Sequence, residues 1–377
     1  MRKRRVAIFT GNYNHIRDGV SNTLNRLVEY LESEGHSVIV IGPWSPDPVM
    51  SHKGTYIPVY AIPAPGRPEY RISMGFTAAE KEMVTEFSPD LIHIATPDIL
   101  GFEALRYAVR NRIPVVASYH THFSSYLKYY RLGILESLLQ KYLRWFYKKC
   151  EHLYVPSPSM LEELKMMGVD SDLRLWTRGV DTGVYHPEKR DDAFRGKLGF
   201  QQTDIVVSFV SRLVWEKNLG VLADVFQRIG RENPSVRTLI VGDGPARKEL
   251  SEMLPETVFT GHLEGEELAM SYAGSDLFFF PSDTESFGNV TLEAMSCGLP
   301  AVVAEASGSR SLVENNVNGF RAEADDVAEF TDRILYIVND PEIRKEMAVK
   351  SREKAVNYDW GNVLATLVSY YNEVLRR

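Results

Sequence analysis

The chain has two cysteines, Cys150 and Cys297, in 377 residues. No disulfide framework can rest on that supply, and neither cysteine stands in a Cys-x-x-Cys or zinc-ligand spacing, so a reducing cytoplasm is the expected setting. Long apolar runs are also missing: none approaches the ~20 residues needed to cross a bilayer. The apolar stretch behind the basic start "MRKRRVAIFTG" is short and ends at Gly11, which predicts a first β-strand rather than a secretory signal. An overall basic surplus is absent, with a net charge of −7, and no nucleic-acid partner is expected.

What is present is a globular composition, 44% hydrophobic and 25% charged. The length is too great for one ordinary core and suits two domains of under ~200 residues each. The charge is unevenly divided. Residues 1–180 hold 22 Lys and Arg against 18 Asp and Glu, whereas the remainder is strongly acidic. Such a division raises the question of an anionic surface that meets only the first half.

Strand and helix patterns alternate along the chain. "RVAIFTG", "HSVIVIGP", "DLIHIATP", "PVVASYHTHF" and "HLYVPSPS" read as strands, each near a helix-length segment. Turn residues and charges interrupt the pattern around "GVDTGVYHPEKRDDAFRGKLGF". The alternation then resumes with "DIVVSFVSRL", "RTLIVGDGP", "TVFTGHL", "DLFFFPS", "LPAVVAEA" and "GFRAEA". Continuous apolar strands separated by helices imply parallel sheets covered on both faces. The prediction is an α/β protein with two Rossmann-like, doubly wound domains facing a cleft. Residues 1–185 form the first domain, 186–355 the second, and 356–377 a final helix packing back on the first. Ligands of such sheets sit beyond the carboxyl ends of the strands.

The segments that follow strands carry the candidate chemistry. In "TESFGNVTLEAM", Glu285 lies in the loop after "DLFFFPS", Gly288 allows close backbone approach, and a helix starts near Asn289. Free N–H groups and the helix dipole at such a start favour phosphate. Glu293 falls one turn on, on the face of Asn289. Carboxylates repel phosphate, so Glu285 and Glu293 suit hydroxyl groups on either side of it, as in a nucleotide sugar. Arg212 and Lys217 in "SRLVWEKN" can neutralise a diphosphate, one as a fork and one as a point charge. Cations there stabilise the negative charge that grows on a departing phosphate. Gly19 in "DGVSNT" stands between the first strand and first helix, where bare backbone can touch phosphate. His120 and His122 share one face of a strand end; with no third ligand in view, no metal is expected. "GDGP" at 242–245 reads as a tight strand–helix turn.

Together, "ESFGNVTLE", "SRLVWEK", "VGDGP" and "RGVDTGVYHP" resemble the retaining GT-B glycosyltransferases of family four over nearly the whole chain. "YHTHFSSYLKYY" and "GHLEGEELAMSYAGSDLFFFPS" are most similar to the sulfoquinovosyl-diacylglycerol synthases and to α-mannosyltransferases of glycolipid synthesis. The resemblance implies hexose transfer from a UDP or GDP sugar, without metal or other cofactor, to a lipid acceptor. It implies Glu285 and the Phe287-Gly288-Asn289-Val290 backbone along the donor sugar, and Glu293 at the ribose. Arg212, Lys217 and Gly19 go to the diphosphate, and His120 lies near the sugar's C6 hydroxyl. A transferase with a soluble acceptor and a nucleotide-sugar epimerase remain alternatives.

Residues 126–149, "YLKYYRLGILESLLQKYLRWFYKK", combine six Lys and Arg with one acid and with Tyr, Trp and Phe. A basic, aromatic-flanked helix of this kind lies on an anionic membrane surface. The expected location is peripheral, at the inner face of the cell membrane.

Overall fold

Apolar runs without polar alternation bury both faces of a strand, which requires a parallel sheet between helices. The computed structural model, which describes residues 3–65, 67–119, 133–285 and 287–376, contains two such sheets. In the first, β1 (Arg5–Phe9), β2 (Ser37–Pro43) and β3 (Thr55–Val59) are followed by an antiparallel ribbon of β4 (Ala61–Ala64) and β5 (Arg67–Ser73). β6 (Leu91–Ile94), β7 (Val115–Ser118), β8 (Leu153–Val155) and β9 (Leu173–Leu175) complete it, in the all-parallel order β3-β2-β1-β6-β7-β8-β9. Its helices are α1 (Gly19–Ser33), α2 (Ala78–Phe87), α3 (Ile99–Asn111), α4 (Gly133–Tyr147) and α5 (Pro158–Met166).

The second sheet runs β12-β11-β10-β13-β14-β15, again parallel throughout, from β10 (Ile205–Val210), β11 (Val236–Val241), β12 (Val258–Gly261), β13 (Leu277–Phe280), β14 (Ala301–Ala304) and β15 (Gly319–Ala322). α6 (Asp192–Lys197) precedes these strands, and between and after them lie α7 (Leu219–Glu232), α8 (Arg247–Met253), α9 (Gly265–Ala273), α10 (Asn289–Ser296), α11 (Ser307–Leu312), α12 (Val327–Asn339), α13 (Pro341–Val356) and α14 (Trp360–Val374). The order reverses beside β1 in one sheet and beside β10 in the other. These switch points are where open α/β sheets receive ligands.

The packing divides the chain into residues 1–176 with 363–377, and residues 177–362. The crossing therefore precedes the expected junction at 185/186. Arg352 explains this: its guanidinium donates to the carbonyls of Thr182, Tyr185 and Ser296, binding the 182–185 stretch to the second unit. Thr182 also donates to Asp359 at 2.8 Å.

In the first unit, α14 is anchored by a polar contact inside the core. His93 of β6 is fully buried, with Nδ1 2.5 Å from the Tyr371 hydroxyl and Nε2 2.9 Å from Ser118 Oγ. The rings of Tyr154 and Trp176 pack against it. Burial pushes its pKa down to about 3. The neutral imidazole is the folded form, so its contribution is complete above the unfolded value near 6.5 and is lost as pH falls toward 3. Stability between pH 7 and pH 4.5 should thus fall more steeply in the wild type than in His93→Gln. Urea unfolding at three pH values checks this.

Candidate functional site

The second unit's switch point is assembled by two adjacent strands. β10 pairs with β13, Val207 against Leu277 and Ser208 against Phe278, so the segments leaving their carboxyl ends are neighbours. After β10 the chain makes a 3-10 turn, Trp215–Lys217. Asn218 then takes a left-handed conformation (φ +57), which asparagine tolerates. Its amide donates to the Ala324 carbonyl at 2.7 Å, fixing the turn to the end of β15. Lys217 Nζ donates to Glu285 Oε1 at 2.6 Å and lies 3.4 Å from Thr284 Oγ1. Both ion-pair partners are largely shielded from solvent.

The loop that carries Glu285 is held from behind. Phe287 is buried, with its ring 5.9 Å from Tyr358. Gly288 caps α10 at φ +95, a conformation that favours glycine. Gly308, in α11, donates its N–H to the Glu285 carbonyl at 3.1 Å. A Cβ at Gly308 would come within 2.8 Å of the backbone at Glu285 and Phe287. This support was not legible in the sequence, because nothing near "ASGSR" marks a partner more than twenty residues upstream.

On α10, Asn289 is exposed, Val290 packs partly against the core, and Glu293 is half-buried. Tyr272 of α9 donates to Glu293 Oε2 at 3.0 Å. Burial, with the Glu293 carboxylate beside it, raises the Tyr272 pKa well above the usual phenol range, so the hydroxyl stays a donor. Tyr272 is a second residue the sequence did not indicate.

Arg212 is exposed (69%) and reaches Glu216 at 3.5 Å, so it does not join the Lys217–Glu285 contact. Its backbone is fixed by the "GDGP" turn: Leu213 N–H donates to the Asp243 carbonyl and Ala246 N–H to the Leu213 carbonyl. In the first unit, Gly19 opens α1, but the neighbouring Asp18 carboxylate accepts the Val20 and Ser21 N–H groups at 3.0 and 2.8 Å. Two amides of the first turn are therefore already occupied by an internal anion. His120 and His122 lie outside the described residues, as do 126–132 of the basic segment. Among the described residues, no cluster of three His, Cys, Asp or Glu could hold a metal ion.

The described part of the basic segment departs from expectation. Phe146 and Tyr147 are fully buried core residues, and Tyr142 is half-buried with its hydroxyl on the Pro97 carbonyl. The 142–147 aromatic excess is thus mainly core packing. Trp145, Leu138, Lys141, Lys148 and Lys149 remain exposed.

Two Rossmann-like parallel-sheet units in tandem are the architecture of GT-B enzymes, and comparison with known proteins shows the family. Residues 17–184 match the model of Glycosyltransferase Family 4, and residues 190–354 that of Glycosyl transferases group 1. A GDP-mannose-dependent alpha-mannosyltransferase of Corynebacterium glutamicum is 31% identical over 100% of this chain and 90% of its own. The Arabidopsis thaliana sulfoquinovosyl transferase is 30% identical over 95% of this chain and 71% of its own. An alpha-monoglucosyldiacylglycerol synthase of Streptococcus pneumoniae is 26% identical over 79% and 70%. Among solved structures, a sucrose-phosphate synthase from Thermosynechococcus elongatus superposes with a TM-score of 0.80 at 18% identity, covering 99% of this chain and 100% of that one. The chain belongs to the GT-B glycosyltransferases, with a family 4 domain followed by a group 1 domain. It is a hexosyltransferase that uses a nucleotide sugar.

Proposed function

We propose that the chain moves a hexose from a UDP or GDP sugar to a membrane lipid acceptor, with retention of configuration and without a metal ion. The observation that carries the reading is the Lys217–Glu285 contact at the β10/β13 switch point, directly before the glycine-capped start of α10. In the proposed complex, Lys217 and Arg212 turn to the donor diphosphate. Glu285 accepts hydrogen bonds from the sugar, and Glu293, oriented by Tyr272, accepts them from the ribose. As the bond between sugar C1 and the phosphate oxygen breaks, its electron pair goes to the diphosphate, where the two cations stabilise it. The acceptor hydroxyl forms the new C1–O bond on the same face and passes its proton to the departing diphosphate. The cations supply the charge stabilisation that a divalent metal would otherwise give.

The lipid acceptor is supported by the alpha-monoglucosyldiacylglycerol synthase relative and by the exposed Lys141, Trp145, Lys148 and Lys149. No helix among the described residues is long and apolar enough to cross a membrane. Attachment is therefore proposed to be peripheral, through residues 126–149, at the inner membrane face.

A donor screen tests the reading. Thermal shift with UDP, GDP and ADP sugars should show one of the first two stabilising the protein by mass action. With that donor, Glu285→Gln should lower turnover far more than nucleotide affinity, and Glu293→Ala should do the reverse. Equal loss of nucleotide affinity in both variants would refute the assignment of sugar to one and ribose to the other.

A further inference from the structure

The β4–β5 ribbon has its polarity inverted. Ile62 and Ile72 are directly paired across it, and Met74 N–H donates to the Tyr60 carbonyl, extending the same face by one pair. All four side chains are exposed, from 36% at Ile72 to 67% at Tyr60, while Ala61 and Ser73 between them are buried. Strand alternation normally turns the large apolar residues inward and the small or polar ones outward. Here the ribbon packs through Ala and Ser and presents Tyr, Ile, Ile and Met to the outside. A contiguous exposed apolar face marks an interaction surface.

The face does not end at the ribbon. A Cβ on Gly75, the residue after Met74, would lie 3.6 Å from Glu103 Cγ and 3.9 Å from Ile99 Cγ2, both on α3. Ile99 is exposed, Phe102 follows one turn later, and the Phe102 ring is 5.9 Å from that of exposed Trp145 on α4. Exposed apolar side chains thus continue from the ribbon across α3 to the basic helix, with the Glu103–Arg106 pair among them and Arg106 over the Phe102 ring. Arg67 and Arg71 on the ribbon, Arg106 and Arg110 on α3 and Lys141 and Arg144 on α4 stand against Glu69, Glu103 and Glu136, while α2 beside them adds Lys81 but also Glu80, Glu82 and Glu86. Glu69 is already engaged by Arg67, and Glu103 by Lys81 and Arg106. The same contacts hold Arg67, Lys81 and Arg106, so Arg71 and Lys141 carry positive charge left at the edge of the band.

We propose that this band is the membrane-docking face of the first unit, with the ribbon and the first turn of α3 entering the interface of an anionic bilayer. The inference rests on the lipid-acceptor reading and deepens it, because it moves the apolar part of the contact from the basic helix to elements with no basic-helix signature. An anionic lipid surface fits three features together: an apolar strip, Tyr and Trp at its two ends, and the cations of Arg71 and Lys141 beside it. The cations draw the protein to the surface and the strip holds it there, so salt should weaken binding without abolishing it.

The experiment uses the full chain and vesicles of phosphatidylcholine with about one third phosphatidylglycerol, a fraction chosen to give a strongly anionic surface. Co-sedimentation compares the wild type, the triple variant Ile62→Ser/Ile72→Ser/Met74→Ser, and the charge variant Lys141→Gln/Lys148→Gln/Lys149→Gln. The ribbon variant should bind at least tenfold more weakly at both low and high salt, and the charge variant should lose binding mainly at low salt. Because the serine substitutions could disturb the ribbon, Ile72→Trp serves as a second probe. The emission this variant adds over the wild type should be quenched by lipids brominated on the acyl chains. Wild-type binding with an unaffected ribbon variant and no quenching of the added indole in Ile72→Trp would overturn the inference while leaving the membrane reading intact. No wild-type binding at all would remove both. A dimer in sedimentation that the triple variant dissolves would assign the band to a second copy of the chain and overturn the lipid assignment.

Discussion

Lys217→Ala should retain its fold but turn over at least about a hundredfold more slowly at saturating donor, since one lost charge stabiliser at a departing group costs ~3 kcal/mol. The size follows from the position of the ammonium. Lys217 stands at the carboxyl end of the central strand pair, shielded from water, with its charge directed at Glu285, 2.6 Å away. Negative charge appears on the leaving diphosphate as the sugar bond breaks, so the cation contributes most in the transition state. Glu285, left alone in the variant, is still partly open to solvent, which limits the damage to stability. Steady-state turnover at saturating donor, together with a melting curve, separates the two effects. Near-normal turnover would remove Lys217 from the chemistry.

Gly242→Ala should be among the most damaging small substitutions in the second unit. Gly242 has φ +134, and an added Cβ would lie 1.8 Å from the Ser211 carbonyl oxygen. The obstacle is backbone, so no side-chain rotation relieves it. Either the β10 end moves, carrying Arg212 with it, or the β11 end gives up the hydrogen bond from Gly242 N–H to the Gly261 carbonyl. The expected cost is about 3 kcal/mol or more, from steric overlap and an unfavourable φ together. For a unit of this size that corresponds to a fall in Tm of roughly 6–12 °C. Calorimetry that resolves the two units checks it, and an unchanged Tm would show that the turn is looser than its geometry indicates.

The architecture was largely legible because the parallel strands are unbroken Val, Ile and Phe runs. The ones that escaped notice have physical reasons. β3 carries Pro58 and sits at a sheet edge, where proline is tolerated but the strand pattern is diluted. β9 is three residues long, and the β4–β5 ribbon exposes the residues that a sequence pattern assigns to the inside. At the site, spacing along the chain placed Lys217 and Glu285 after neighbouring strands, and strand order brought them together. It could not reveal Gly308 behind the Glu285 loop or Tyr272 beside Glu293, since both act through tertiary contact. Nor could it show that Asp18 caps the helix at Gly19, or that Phe146 and Tyr147 belong to the core. Burial, rather than composition, separates an aromatic residue that packs inside from one that meets a membrane.

The central claim is transfer from a nucleotide sugar to a lipid by the Lys217–Glu285 site. The most direct measurement incubates the purified chain with radiolabelled UDP and GDP hexoses, mixed lipid vesicles and a metal chelator, then follows label into the organic phase. The account predicts lipid-extractable label from one donor, an α-linked product by NMR, no loss in the chelator, and little label with Lys217→Ala. Label confined to water-soluble products, a β-linked lipid, or full activity in Lys217→Ala would contradict it.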